Sequence, residues 1–120
     1  MKKIILIWDF DGPIGQINAT IPYNFHFDTM VSEINHVKWL LEVWDQPAIN
    51  CCFAITGLSA EEGVYPYNFP ELINEIASKG HEIASHSWKH EWVPLFTKEQ
   101  INRSLKQSKK ALHAPFLMYS

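Results

Sequence analysis

Three short apolar runs along the chain predict buried strands. They comprise residues Ile4–Trp8, Ile49–Ile55 and Glu82–Ser85. Each run is short, contains isoleucine and is bounded by turn-forming residues, a combination typical of strands in the centre of a sheet. We therefore expect a small sheet of three strands.

The segments between these strands have the periodicity of amphipathic helices. Apolar residues recur at steps of three and four across residues 29–45 and again after Pro70, where Gly80 provides a stop signal. Thr97 and Gln100 have the spacing of a capping box, which predicts the start of a third helix. Strands and helices thus alternate, and this order predicts an α/β fold with parallel strands and right-handed crossovers.

Composition and charge fit a single globular domain. The chain has 120 residues, of which 47% are hydrophobic and 19% are charged, and its formal net charge is −3 at pH 7. Nucleic-acid binders carry a basic surface, so this charge argues against that class. The N-terminal apolar run ends at Asp9 and is too short for a signal peptide or a membrane span. We expect a cytoplasmic protein with no nucleic-acid or membrane partner.

Two polar clusters directly follow predicted strands and carry the candidate chemistry. Asp9 and Asp11 follow the first apolar run, and side-chain alternation places them on one side if the extended backbone continues. Paired carboxylates at one strand end can divide proton transfer and cation binding between them. The alternative for this segment is an Asx turn before Gly12, in which an aspartate only caps its own backbone.

The second cluster contains two histidines after the third strand. His86 and His90 are four residues apart, a spacing that places both imidazoles on one face if the segment is helical. Neutral imidazole is a common ligand of zinc and related metals, although an isolated pair of this kind is often a surface coincidence. The carboxyl ends of parallel strands meet at one edge of a sheet, so the two clusters should lie together. Two histidines and one carboxylate form a recognised catalytic metal set.

These segments resemble the signatures of a known family. Residues 80–90 read Gly-His-Glu-Ile-Ala-Ser-His-Ser-Trp-Lys-His, and they resemble the histidine signature of the polysaccharide deacetylase family (carbohydrate esterase family 4, the NodB homology domain). The run Asp9-Phe10-Asp11-Gly12 resembles the family's aspartate signature in an Asp-x-Asp variant. Ala54-Ile55-Thr56-Gly57 occupies the place of the family's central strand.

The resemblance implies a fold, a reaction and a role for each site residue. The fold would be the first part of a distorted (β/α) barrel, with residues 1–120 forming one NodB-like domain truncated at its C-terminus. Asp11, His86 and His90 would hold a divalent metal. We expect zinc, because magnesium prefers oxygen ligands to imidazole nitrogen. Asp9 would be the general base of a hydrolase that removes N- or O-acetyl groups from a polysaccharide or amino sugar. The partner would be an acetylated carbohydrate.

The sequence also departs from the family. It lacks an Arg-x-Pro segment that orients the base, an Asp/Trp segment that lines the acetyl pocket and a Leu-x-x-His segment that supplies the general acid. Three strands cannot close a barrel, so open sheet edges would favour self-association. We therefore expect a chain that binds metal but turns over acetylated sugars poorly by itself. The alternative is an inactive metal-binding fragment.

A second family offers a rival interpretation. The segment Ile4–Gly12 also resembles the opening signature of haloacid-dehalogenase-like phosphatases, in which Asp9 would be the nucleophile, Asp11 the acid/base and magnesium the ion. However, Pro13 stands where threonine is usual in that family, and no later aspartate pair follows to hold magnesium. That interpretation also leaves the two histidines without a role.

Overall fold

The computed structural model describes residues 2–19, 26–46 and 49–119, with side chains described as far as residue 113. In these ranges three strands and four α-helices follow one another in the order β1, α1, α2, β2, α3, β3, α4. Their bounds are β1 Ile7–Phe10, α1 Gly12–Ala19, α2 Phe27–Val43, β2 Cys52–Ile55, α3 Pro70–Ser78, β3 Glu82–Ser85 and α4 Lys98–Tyr119, with short 3-10 helices at Gly57–Ala60 and Val93–Leu95.

The three strands form one parallel sheet with β2 in the centre. Phe10 pairs with Ile55, and Ile55 pairs with Ser85, so the carboxyl ends of the strands are level. The predicted α/β fold with parallel strands is therefore confirmed. The residues that follow the three strands begin neighbouring loops at one end of the sheet; they are Asp11, Thr56 and His86.

Helices cover one face of this sheet and leave the other open. Phe10, Phe53 and Ile55 are fully buried in a core that also includes residues of α2, α3 and α4. The opposite face carries the alternate residues of β1: Ile7 is 65% exposed, and Asp9 is exposed as well. Burial of each large apolar side chain stabilises the fold by about 1.5–3 kcal/mol, so the helix-covered face supplies most of the stability.

Backbone pairing, rather than the apolar run, sets the strand bounds. β3 has the predicted range, whereas β1 begins at Ile7 and not at Ile4, because its pairing with β2 starts there. Ile4 and Ile5 are 86% and 81% exposed. β2 likewise begins at Cys52, three residues after the start of its apolar run.

The short helix α1 was not expected from the sequence. It contains Gly12, Pro13 and Gly15, which are poor helix formers apart from proline in a first turn. Gly12 has a φ of 66°, which turns the chain out of β1. All three residues are buried, so tertiary packing overrides the weak helix propensity of this segment.

The other helices follow their sequence signals. α3 ends shortly before Gly80, whose φ is 88°, as expected for a residue after a helix. The capping box before α4 is present: the Thr97 N–H donates to Gln100 Oε1 at 2.8 Å, and the Gln100 N–H donates to Thr97 Oγ1 at 3.2 Å. Among the helices described here, none combines the length and apolarity that crossing a bilayer requires.

Candidate metal centre

Three side chains converge where β1 and β3 end. The distance from Asp11 Oδ1 to His86 Nε2 is 3.0 Å, and the distance to His90 Nε2 is 3.8 Å. The two imidazole rings are nearly perpendicular, with centroids 4.8 Å apart. In the part of the chain that the structure describes, these residues form a group whose potential ligand atoms all lie within 4.8 Å of one another.

The chemistry of this group fits a cation. Asp11 Oδ1 is shielded from solvent and accepts no hydrogen bond from the described residues. A neutral imidazole presents a lone pair on its unprotonated nitrogen, so two imidazoles facing a carboxylate oxygen repel it unless a proton or a cation lies between them. A divalent ion would satisfy all three groups at once. The three side chains are between 25% and 35% exposed, so the group lies close to the protein surface.

The main chain of Asp11 is fixed by the end of the central strand. Thr56, which is fully buried, donates its hydroxyl hydrogen bond to the Asp11 carbonyl at 2.8 Å. The same hydroxyl lies 2.7 Å from Ser59 Oγ, which is also buried. The Gly15 N–H donates a second hydrogen bond to the Asp11 carbonyl at 3.2 Å. A side chain at Gly15 would approach Asp11 Cβ to 2.9 Å, so the loop accepts only glycine there without moving.

A carboxylate of α2 lies behind the same loop. The pKa of Glu33 is raised, mainly by burial and in smaller part by the negative charge of Asp11. A hydrogen bond from Gln16 opposes this shift. The backbone N–H groups of Gly12 and Asp11 also donate toward this carboxylate and lower the pKa. The sequence carries one signal for Glu33: this charged residue lies next to the apolar stripe of Met30, Ile34 and Val37.

The histidines are presented by a tight turn and not by a helix. The His86 N–H donates to the Ile55 carbonyl at 2.9 Å, which continues the parallel ladder by one residue. Residues 87–89 then form a turn, and the His90 N–H donates to Ser87 Oγ at 3.0 Å. Ser87 and His90 both have positive φ, 65° and 61°. The spacing of four therefore brings the two imidazoles together by a route other than the helical one that we considered.

Asp9 does not belong to this group. It occupies β1, where it pairs with Ala54, and its side chain is exposed. Side-chain alternation along an extended strand directs Asp9 to the uncovered sheet face, two residues before Asp11. The structure thus brings Asp11, His86 and His90 together, and Asp9, the fourth predicted site residue, is not part of the group.

A carboxylate and two imidazoles at the carboxyl ends of parallel strands form the type of site that metal-dependent hydrolases use. The family whose model matches this chain is named for polysaccharide deacetylases, and the match covers residues 22–116. The chain therefore belongs to the polysaccharide deacetylase family, as its histidine segment indicated. The matched range includes His86 and His90 and begins after the aspartate segment.

Individual relatives agree with this assignment. Chitin deacetylase 1 of Saccharomyces cerevisiae is 33% identical over 52 residues, which are 43% of this chain and 17% of the yeast protein. A Mycobacterium smegmatis structure assigned to the polysaccharide deacetylases superposes with a TM-score of 0.73 at 24% identity, covering 92% of this chain and 38% of that one. The chain thus spans well under half the length of these relatives.

A third relative was solved with a metal. The family 4 acetyl xylan esterase of Clostridium thermocellum, in complex with a cobalt ion, superposes with a TM-score of 0.64 at 16% identity. The superposition covers 96% of this chain and 44% of the esterase. These structural matches cover more of the chain than the family model does, and at these identities they show that the fold is shared.

Proposed function

We propose that this chain carries the metal-binding part of a polysaccharide deacetylase site, which removes N- or O-acetyl groups from a carbohydrate. The observation that carries the proposal is the convergence of His86 and His90 on Asp11 Oδ1, a buried oxygen that accepts no hydrogen bond from the described residues. Family membership supports the reaction class.

Asp11, His86 and His90 are the proposed ligands of a divalent ion. Zinc is the expected ion because imidazole nitrogen suits it better than magnesium, and the cobalt ion in the C. thermocellum esterase supports an ion of this kind. When bound, the ion would supply the Lewis acidity that activates water and polarises an acetyl carbonyl. The turn of residues 86–90 and the Thr56 hydrogen bond hold the ligands in place for it.

Asp9 is the proposed general base. Its carboxylate is exposed on the uncovered sheet face, two residues before Asp11. A carboxylate in that position is free to accept the proton of a water molecule that attacks an acetyl group near the strand ends. The products would be acetate and the free amine or hydroxyl of the sugar.

The exposed edge of the sheet is a proposed site of self-association. Ile7 in β1 and the preceding Ile4 and Ile5 are exposed. β1 is an edge strand, and its outer backbone groups have no neighbouring strand in the described structure. Exposed edges of this kind favour pairing with another chain. We propose that a second copy associates through these edges at high concentration.

The phosphatase interpretation has less support. The family match is to polysaccharide deacetylases, and Asp11 faces two imidazoles, whereas magnesium prefers an all-oxygen shell. The inactive metal-binding fragment stays as the second candidate, because the chain spans less than half of its solved relatives.

Metal analysis after dialysis against zinc or cobalt tests the site. We expect one ion per chain in the wild type and none in the His86→Ala/His90→Ala double variant. His36→Ala/His113→Ala is the matched control, because it removes two exposed histidines outside the group. Equal metal content in the wild type and the first double variant would overturn the site assignment.

Acetate release then tests the reaction. The metal-loaded chain is incubated with chitin oligomers, peptidoglycan fragments and acetylated xylan over a range of protein concentrations. Release that requires both the ion and Asp11 would support the deacetylase function, and release only at high concentration would indicate that association completes the site. A chain that binds metal but releases no acetate at any concentration would contradict hydrolysis by this chain and favour the metal-binding fragment.

A further inference from the structure

The turn that carries the histidines has a backbone that needs support. Ser87 and His90 adopt the left-handed region, with φ values of 65° and 61°. Residues other than glycine rarely adopt this region, because their Cβ comes too close to the following carbonyl oxygen. Such residues persist where surrounding contacts fix them, and they cluster at functional sites. The contacts that fix this turn therefore determine where the two imidazoles point.

Two serines of α4 make those contacts. Ser108 is fully buried, and its hydroxyl donates to the Ser87 carbonyl at 3.0 Å. The Trp88 N–H donates to Ser104 Oγ at 3.1 Å, and Ser104 in turn donates to the carboxylate of Glu91. Ser104 and Ser108 are four residues apart, so they lie on the same face of the helix.

The segment that follows the central strand also supports the turn. The Gly57 N–H donates to the Ser87 carbonyl at 2.9 Å, and the Leu58 N–H donates to the Trp88 carbonyl at 2.9 Å. A Cβ on Gly57 would lie 2.6 Å from Ser108 Cα, so α4 packs directly against this loop. The Ser87 carbonyl thus receives one hydrogen bond from the loop after β2 and one from α4.

We propose that Ser104 and Ser108 are positioning residues for the candidate metal centre. They do not touch the proposed ion; they hold the backbone of residues 87–88, and through it the angle between the imidazoles of His86 and His90. This role rests on the proposed function, because it concerns the same metal site. The covered face of α4 also carries the apolar residues Ile101, Ala111 and Leu112, and serines on such a face are the sequence feature that marks this role.

The experiment compares Ser104→Ala and Ser108→Ala with the wild type. Calorimetry gives the affinity for Co²⁺, the visible spectrum of bound Co²⁺ reports the ligand geometry, and amide hydrogen exchange of the metal-free chain reports the turn. We expect Co²⁺ affinity to fall by about 10-fold or more in each variant, the range typical for residues that orient metal ligands. We also expect a changed Co²⁺ spectrum and faster exchange at the Trp88 amide in Ser104→Ala.

Two further variants separate positioning from general stability. Ser104→Thr keeps the hydroxyl and should restore Co²⁺ affinity and slow exchange at Trp88. Ser78→Ala is the matched control, because Ser78 is an exposed helical serine whose hydroxyl donates within its own helix, to the Glu75 carbonyl. Thermal unfolding shows what fraction of each variant is folded, so that affinities are compared between folded chains.

Unchanged Co²⁺ affinity and spectrum in folded Ser104→Ala and Ser108→Ala, with lowered thermal stability alone, would overturn the positioning role and leave a packing role. If the wild type binds no Co²⁺, the proposed function fails, and unchanged Trp88 exchange in Ser104→Ala would independently show that α4 does not hold the turn.

Discussion

Thr56→Val is the substitution whose effect follows most directly from the structure. Valine keeps the shape of the threonine side chain and removes its hydroxyl. That hydroxyl donates to the Asp11 carbonyl at 2.8 Å and lies 2.7 Å from Ser59 Oγ, at a place where Thr56 and Ser59 are both fully buried. The Asp11 carbonyl keeps the Gly15 N–H as a donor in the variant, whereas the Ser59 hydroxyl loses the partner that the structure shows for it.

The expected loss of unfolding free energy follows from these hydrogen bonds. One buried hydroxyl left without a partner costs about 1–3 kcal/mol, so we expect Thr56→Val to lower the free energy of unfolding by about 2 kcal/mol. Thr56→Ser keeps the hydroxyl and deletes one methyl group, which should cost about 1 kcal/mol. The double variant Thr56→Val/Ser59→Ala removes both partners, so it should be less destabilised than the sum of the single variants.

Urea denaturation of the metal-free chain, followed by circular dichroism, measures these free energies. A Thr56→Val variant within about 0.5 kcal/mol of the wild type would refute the argument, because that is the ordinary effect of a neutral substitution. Strict additivity of the two single variants would refute it as well, since residues in hydrogen-bond contact are expected to couple.

The remaining predictions concern the aspartates and a buried histidine. Asp11→Asn should weaken zinc binding measured by calorimetry, whereas Asp9→Asn should leave it unchanged and lower any acetate release by about 10²–10⁴-fold; the reverse pattern would exchange their roles. Burial and, to a smaller extent, Lys79 lower the pKa of His81, whose Nδ1 accepts a hydrogen bond from the Cys51 N–H at 3.0 Å. The unfolded chain therefore takes up this proton first, and stability should be lost as the pH falls below the ordinary histidine pKa of 6.5. His81→Asn keeps an acceptor that does not titrate, so its free energy of unfolding between about pH 7 and pH 5.5 should fall less steeply; equal slopes would contradict the assignment.

The strands, most helices and the convergence of Asp11, His86 and His90 could be predicted from the sequence, because each rests on a local pattern or a general rule. Alternation of strands and helices implies parallel pairing, and parallel pairing places the residues after β1 and β3 at one end of the sheet. That rule is sufficient to bring Asp11 toward His86. It needs no knowledge of the loops.

The supports of the site could not be predicted in the same way. α1 forms from residues with weak helix propensity because Gly12, Pro13 and Gly15 are buried by packing. The hydrogen bond from Thr56 to Asp11 joins residues 45 positions apart, and the one from Ser108 to Ser87 joins residues 21 positions apart. Neither separation belongs to a local motif, so these contacts exist only once the sheet and α4 are assembled.

The distribution of the ligands along the chain has a thermodynamic consequence. Asp11 follows the first strand, and His86 and His90 follow the third, while the central strand lies between them and fixes both through Thr56 and the Ile55 carbonyl. In the unfolded chain the aspartate and the histidines are more than 70 residues apart, so they offer an ion no common site. An ion that binds all three, and does not bind the unfolded chain, would stabilise the folded chain by RT ln(1 + [ion]/Kd). Binding of an ion by all three proposed ligands would therefore require correct pairing of all three strands.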